Sequence, residues 1–299
     1  MRIGAIMLTF TKLELEDIHK LRPYFDQCHS RISDRAPGAV VMWREYFDAR
    51  YAIEGGALYF MVKHYGGETA FTAPFGENDE TAYRRIADYC AAEGVRLVLC
   101  MVPENKLADV LAIFPDAEVE SNEIWSDYLY DAQSMATFAG RKLSGQRNHC
   151  NKFVKLYPDW SFEPIGGENL PEVRSFVERY IAGNTKDSPT LIEGDRKILE
   201  VLDNYGLYAM LGGVLKVGGE IVGVSIAEAL GDTLFIHIEK CLRSYEGSYQ
   251  MMVREFARRY VTEEIRFINR EEDDGDPGLR TSKLSYHPVE LLKKYTVRI

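Results

Sequence analysis

The 299-residue chain has only five cysteines (Cys28, Cys90, Cys100, Cys150, Cys241), scattered and with no Cys-x-x-Cys pair. Its six histidines form no ligand-spaced cluster with them. That spacing argues for reduced thiols in a cytosol and against a disulfide framework or a zinc site. Long hydrophobic runs are also missing, since nothing approaches the ~20 apolar residues of a membrane span. The opening "MRIGAIMLTF" is cut off by Lys12 and Glu14, too short for a signal peptide. The expectation is a soluble, cytoplasmic protein with no integral membrane contact. There is no Gly-x-Ser-x-Gly elbow and no Gly-rich loop followed by Lys-Ser/Thr, which sets aside serine-hydrolase and kinase readings. A net charge of −10 leaves nucleic-acid contact only to a local basic patch.

Apolar content is ample: at 46% hydrophobic residues, either half can bury a core of its own. Leu13, Ile18, Leu21 and Phe25 share a helical face. "ALYFMVKHYGGETAFTAPF" reads as two strands around Gly66-Gly67. A helix from Asp79 to Gly94, a buried strand "VRLVLCMV" and a helix ended by Pro115 follow. The second half has helices in "ENLPEVRSFVERYIAG" and "GDRKILEVLDNYG", then three antiparallel strands turned at Gly218-Gly219 and Gly231-Asp232. A helix in "GSYQMMVREFARRYVTEEI" and a strand "IRFIN" complete it. Between the halves, Ala132 to Pro158 holds no Asp or Glu but five basic residues, and is patterned as a helix with one apolar stripe. After "IRFIN" come Glu271, Glu272, Asp273, Asp274 and Asp276, then Arg280, Lys283 and Tyr286. The acidic loop lacks the Asp-x-Asp-x-Asp-Gly order and distal Glu of a calcium loop, so no metal is expected. Gly275, Pro277 and Gly278 predict a reversal, with "LRTSKLSY" returning as a strand.

Two stretches carry a resemblance. "YLYDAQSMATFAGRKLSGQRNHCNKFVKLYP" and "FINREEDDGDPGLRTSKLSYHPVELLKKY" resemble the signature stretches of the family of the phosphatidylglycerol lysyltransferase C-terminal catalytic region. They hold Tyr-x-Tyr-Asp, Leu-x-x-x-Arg-Asn-His-x-Asn-Lys-Phe, Asn-Arg-Glu-x-Asp-x-Gly and Gly-Leu-Arg-x-x-Lys-x-Ser-Tyr. The match runs from about Tyr128 to the end. It implies an α/β fold with mixed sheets, in two tandem GNAT-like (acyl-CoA N-acyltransferase) domains related to the Fem aminoacyltransferases. The corresponding division is 1–140, a basic connecting helix over 141–158, and 159–299 carrying the donor site. The implied activity is transfer of an acyl or aminoacyl unit to an amine or hydroxyl. The donor is acyl-CoA or acetyl-CoA, with aminoacyl-tRNA as the alternative; a non-catalytic ligand-binding protein of the same fold is the rival.

In such a fold "LRSYEGSYQ" occupies the phosphate-loop position, with Arg243, Gly247, Ser248 and Tyr249 near the donor's phosphates. Backbone N–H groups at a helix N-terminus attract anions. Only Gly247 fits the usual loop pattern, and Glu246 puts a negative charge in the cradle. For the proton acceptor, "FIHIEK" puts His237 and Glu239 on one strand face, with Glu228 on the preceding strand as a third choice. Tyr286 or Tyr249 could reprotonate the leaving group. Asn269, Arg270 and Glu271 end the "IRFIN" strand, where open α/β sheets place ligand-facing groups. With Asp273, Arg280 and Lys283 they form the substrate wall: the acids pair with Arg280 and Lys283, or face an amine-bearing small molecule or peptide. Arg147, His149, Lys152 and Lys155 offer a polyanion contact, for CoA phosphates or a tRNA.

Overall fold

The computed structural model describes residues 7–76, 80–184 and 189–299. The first six residues of the opening segment, and Asp79 of an expected helix, lie outside the described residues. The chain forms two compact units, one running to Asp127 and taking in Leu292–Ile299, the other spanning Tyr128–Leu291.

The first unit is built on a mixed sheet. Strands Arg50–Glu54, Ala57–Lys63 and Thr69–Thr72 run antiparallel. Gly55 and Gly56, both at positive φ, turn the first pair. Helix Glu80–Glu93 then crosses back to Val98–Pro103, which lies parallel to Thr69–Thr72. Tyr83, Ile86 and Cys90 on one helical face pack into a core with Phe71, Leu99 and Val297. Val297 comes from the last strand of the chain, Lys294–Arg298, which pairs antiparallel with Val98–Pro103 on one side and Glu118–Ser121 on the other. Buried Lys294 anchors that strand through Asp127 at 2.7 Å and Asp34 at 2.5 Å.

The second unit repeats the plan. Leu211–Val217, Glu220–Leu230 and Thr233–Cys241 form the expected antiparallel meander. Helix Ser248–Tyr260 leads to Phe267–Asn269, parallel to Thr233–Cys241. Beside it lies Asp127–Asp131, which comes from the end of the chain's first half. Apart from the short strand Phe75–Gly76 in the first, the two sheets have the same order, each taking an inner strand, Lys294–Arg298 or Asp127–Asp131, from the other half of the sequence. Hydrophobic patterning does not report such long-range pairings, and both exchanged strands escaped the sequence reading.

Two expectations need correction. "LRTSKLSY" is not a return strand: Pro277–Leu284 is a helix. The Asp276 side chain caps it by accepting from Leu279 N–H at 2.7 Å, and Pro277 occupies the first turn. The basic segment does form a helix, Ser144–Leu156, but it does not stand between domains. Cys150 and Phe153 on its apolar stripe join the second unit's core with Met251 and Phe256. The boundary falls at Asp127/Tyr128 instead of near residue 140.

Candidate active site

The loop after strand Phe267–Asn269 is braced by polar contacts from three directions. Fully buried Asn269 accepts the Glu271 N–H at 2.6 Å, an Asx turn, and Glu271 has φ +58°. From the helix Pro277–Leu284, Lys283 reaches back beneath the loop. Its ammonium donates to the carbonyls of Arg270 at 2.6 Å, Glu271 at 3.1 Å and Glu272. Asp273, fully buried, accepts from Tyr128 Oη at 2.5 Å, from Arg280 Nε at 2.8 Å and from Gly275 N–H at 2.9 Å. Burial alone would raise its pKa, but Arg280, Tyr128 and the Gly275 amide hold it below the usual carboxylate range. Tyr130 Oη donates to the Lys283 carbonyl at 2.9 Å. The Tyr-x-Tyr, Asp-x-Gly and Gly-Leu-Arg-x-x-Lys residues thus interlock to fix one backbone path.

That path presents Arg270 and Glu271 to the sheet. Arg270 lies against the ring of Tyr286, 4.8 Å from its centre, and donates through Nη2 to Glu239 Oε1 at 2.7 Å. Its Nη1 is buried with no hydrogen-bond partner. Glu239 uses only Oε1 in this pair and its side chain is 12% exposed, which leaves Oε2 for a ligand. Glu271 Oε1 meets His237 Nδ1 at 2.8 Å, while Glu228 Oε1 meets His237 Nε2 at 2.9 Å. His237 is the residue passed over where the register of Glu220–Leu230 on Thr233–Cys241 shifts, with Ile238 opposite Ile226 and Ile236 opposite Ala227. A bulge of this kind re-aims a side chain, and a strict two-residue alternation does not reveal it. Burial lowers the affinity of His237 for its proton, but Glu228 and Glu271 outweigh that effect and raise its pKa to about 10. An imidazolium with both nitrogens engaged is no proton acceptor at neutral pH. His237 is therefore held as a cation between two carboxylates, while Glu239 keeps one oxygen outside its contact with Arg270.

The other expected residues sort clearly. Tyr286 is buried, its hydroxyl pKa pushed up by burial, and it serves as the wall on which Arg270 stacks. Tyr249 faces Tyr180 at 3.5 Å, and burial raises its pKa too. At the expected phosphate cradle, Ser248 is engaged within the chain. Ser248 donates its N–H to Tyr245 and its hydroxyl to Leu242, each at 3.0 Å. A Cβ on Gly247 would stand 2.6 Å from the His149 carbonyl, so this glycine serves the approach of helix Ser144–Leu156. Arg243 is exposed beside it. On the basic helix, Arg147 is turned onto the carbonyls of Phe138 and Gly140, and Lys152 pairs with Glu246 at 2.6 Å. His149 and Lys155 are exposed.

The family model described as phosphatidylglycerol lysyltransferase, C-terminal, matches residues 25–298. The chain belongs to this family. A crystal structure of a conserved protein of unknown function from Bacteroides thetaiotaomicron VPI-5482 is 29% identical, covers 98% of this chain and 100% of its own, and has a TM-score of 0.92. The C-terminal domain of a putative lysylphosphatidylglycerol synthetase from Agrobacterium fabrum is 14% identical, with coverage of 95% and 91% and a TM-score of 0.68. FemX follows the same fold at 8% identity, coverage of 97% and 96%, and a TM-score of 0.58. The mixed α/β fold with two sheets expected from the sequence, related to the Fem proteins, is the one these structures share. A curated relative, the uncharacterized protein MYCGA3080 of Mycoplasmoides gallisepticum, is 26% identical over 184 residues. The match spans 60% of this chain and 58% of that relative's length. Among the described residues, no helix is long and apolar enough to cross a membrane, and no group of three or more His, Cys, Asp or Glu side chains could hold a metal ion.

Proposed function

We propose that this member of the family is an aminoacyltransferase that moves an aminoacyl unit from an activated ester, such as an aminoacyl-tRNA, to an amine or hydroxyl acceptor. The observation that carries the reading is Arg270 beside Glu239: one buried guanidinium N–H without a partner, next to one carboxylate oxygen without a partner. Arg270 Nη1 suits the carbonyl oxygen of the ester and the negative charge that gathers there on attack, since preorganised donors act most strongly where charge develops. Glu239 Oε2 suits the proton lost by the attacking group. The acceptor's nucleophile bonds to the ester carbon, the ester C–O bond breaks, and the departing hydroxyl takes up a proton.

The loop's charge favours an aminoacyl over a plain acyl group. Glu271 remains 24% exposed in its side chain and lies one residue from Arg270, well placed to attract the donor's ammonium. The turn at Leu242–Ser248 counts against a CoA donor, because a pyrophosphate there would find the Ser248 N–H already engaged with Tyr245 and Glu246 beside it. The acceptor class, whether phosphatidylglycerol as the family name suggests or a small or peptide amine, belongs to the test.

The test pairs labelled lysyl-tRNA and labelled acetyl-CoA with amine acceptors and phosphatidylglycerol vesicles. We expect label to move from the aminoacyl ester only, and Arg270→Lys and Glu239→Gln each to reduce transfer by roughly 10²-fold or more, the usual cost of losing an oxyanion donor or a general base. Transfer from acetyl-CoA with none from aminoacyl-tRNA would overturn the reading.

A further inference from the structure

The first unit holds a cavity of its own, which the transfer reading does not use. It encloses about 200 Å³ and is lined by Gln27, Cys28, His29, Arg35, Asn105 and Lys106, with Pro74, Gly76 and Pro103 in its wall. Its place in the sheet is informative. Pro74 and Pro103 follow or end the parallel strands Thr69–Thr72 and Val98–Pro103. In the second unit, the strand pair of equivalent order is Thr233–Cys241 with Phe267–Asn269, and Arg270 follows its last residue. Open α/β sheets bind ligands outside the carboxyl ends of such strands.

Arg35 is the chemical clue. It is 4% exposed, and its guanidinium donates to the carbonyls of Ala73 at 2.7 Å and Pro74 at 3.0 Å and to Cys28 Sγ at 2.9 Å. Its remaining contact is with the ring of Phe75, 3.6 Å from the centroid. Among the described residues, no carboxylate forms an ion pair with it. Buried charges are ordinarily paired, because an uncompensated one costs several kcal/mol, on the order of the penalty for breaking a buried pair. The cavity lining adds Lys106, whose partner Asp109 stands 3.8 Å off, and the helix Glu104–Ile113 opens there without a side-chain cap. The one acid of that first turn, Glu104, is hydrogen-bonded to Tyr295 at 3.1 Å. No carboxylate lines the cavity among the described residues.

We infer that this cavity is a second ligand site, selective for a small oxyanion, a carboxylate or a phosphate, that supplies the missing counter-charge to Arg35. Its volume equals roughly six or seven waters at ~30 Å³ each, so the anionic head enters and any larger body stays outside. The site is opposite in character to the acid-rich loop of the second unit, and it stands or falls independently of the proposed transfer.

Cys28 provides the readout. It is half-buried at the cavity, while Cys90, Cys100, Cys150 and Cys241 are buried. The full chain in a phosphate-free chloride buffer is treated with iodoacetamide, and Cys28 modification is followed by mass as inorganic phosphate or acetate replaces chloride at constant ionic strength. The expected result is saturable protection, about tenfold at ten times Kd, and several-fold weaker protection in Lys106→Ala. Protection by phosphate alone or by acetate alone names the head group and supports the site. A labelling rate that neither anion changes, or protection that Lys106→Ala leaves intact, overturns it. Lys106 is a partly exposed side chain, so this variant is expected to fold.

Discussion

Glu228 and Glu271 grip His237 from both sides and keep its proton on, which ties the stability of the second unit to pH. The folded-state pKa is raised from 6.5 to about 10, so the stabilisation is fully present below pH 6.5 and is lost as pH rises through about 10. Within that window each pH unit removes up to ~1.4 kcal/mol. Urea midpoints measured from pH 6 to pH 10 should fall steadily, and Glu228→Gln should flatten the slope; a flat wild-type profile would refute the imidazolium assignment. At this scale the sequence was partly legible. Alternation along "FIHIEK" implies one strand face for His237 and Glu239, and the strand Phe267–Asn269 does end at Asn269, as the pattern of "IRFIN" implies. The bulge that re-aims His237, and the burial of Lys283 under three carbonyls, depend on backbone geometry that residue types do not encode.

Among the elements, the helices Ser144–Leu156 and Ser248–Tyr260 approach each other closely at one glycine. Gly247 has φ +85°, and a Cβ there would stand 2.6 Å from the His149 carbonyl and 3.1 Å from Phe153 Cβ. Gly247→Ala should therefore cost of order 1–3 kcal/mol from backbone strain alone, read as a lowered thermal midpoint. A thermal midpoint that Gly247→Ala leaves unchanged would refute both the backbone strain and the close approach to His149. The misread helix Pro277–Leu284 teaches the complementary lesson. Asp276 followed by Pro277 is a helix-start signal, but the glycines on either side also suit a reversal and the period-2 pattern a strand. The helix matters to function because one turn of it carries both Arg280 to Asp273 and Lys283 to the loop carbonyls, which a strand would send to opposite faces.

For the whole molecule, the exchange of strands makes each sheet depend on sequence from the other half. Lys294–Arg298 is not an edge strand: it lies between Val98–Pro103 and Glu118–Ser121, and removing it would leave two rows of unpaired backbone groups in the first sheet. What fixes it is an ion cluster, Lys294 with Asp127 and Asp34, in which Asp127 is fully buried and also accepts the Ser33 N–H at 2.6 Å. Taking away the cation strands a buried carboxylate, which costs about 3–5 kcal/mol. Lys294→Met should lower the stability of the first unit by that amount, and Lys294→Met combined with Asp127→Asn should recover part of it, because the second change removes the stranded charge. Hydrogen exchange locates the effect: amides of Val98–Pro103 and Glu118–Ser121 should lose protection in the single variant while those of Thr233–Cys241 keep theirs. Equal loss across both sheets would mean that the units unfold as one, and that the cluster secures the entire chain instead of the strand it contacts.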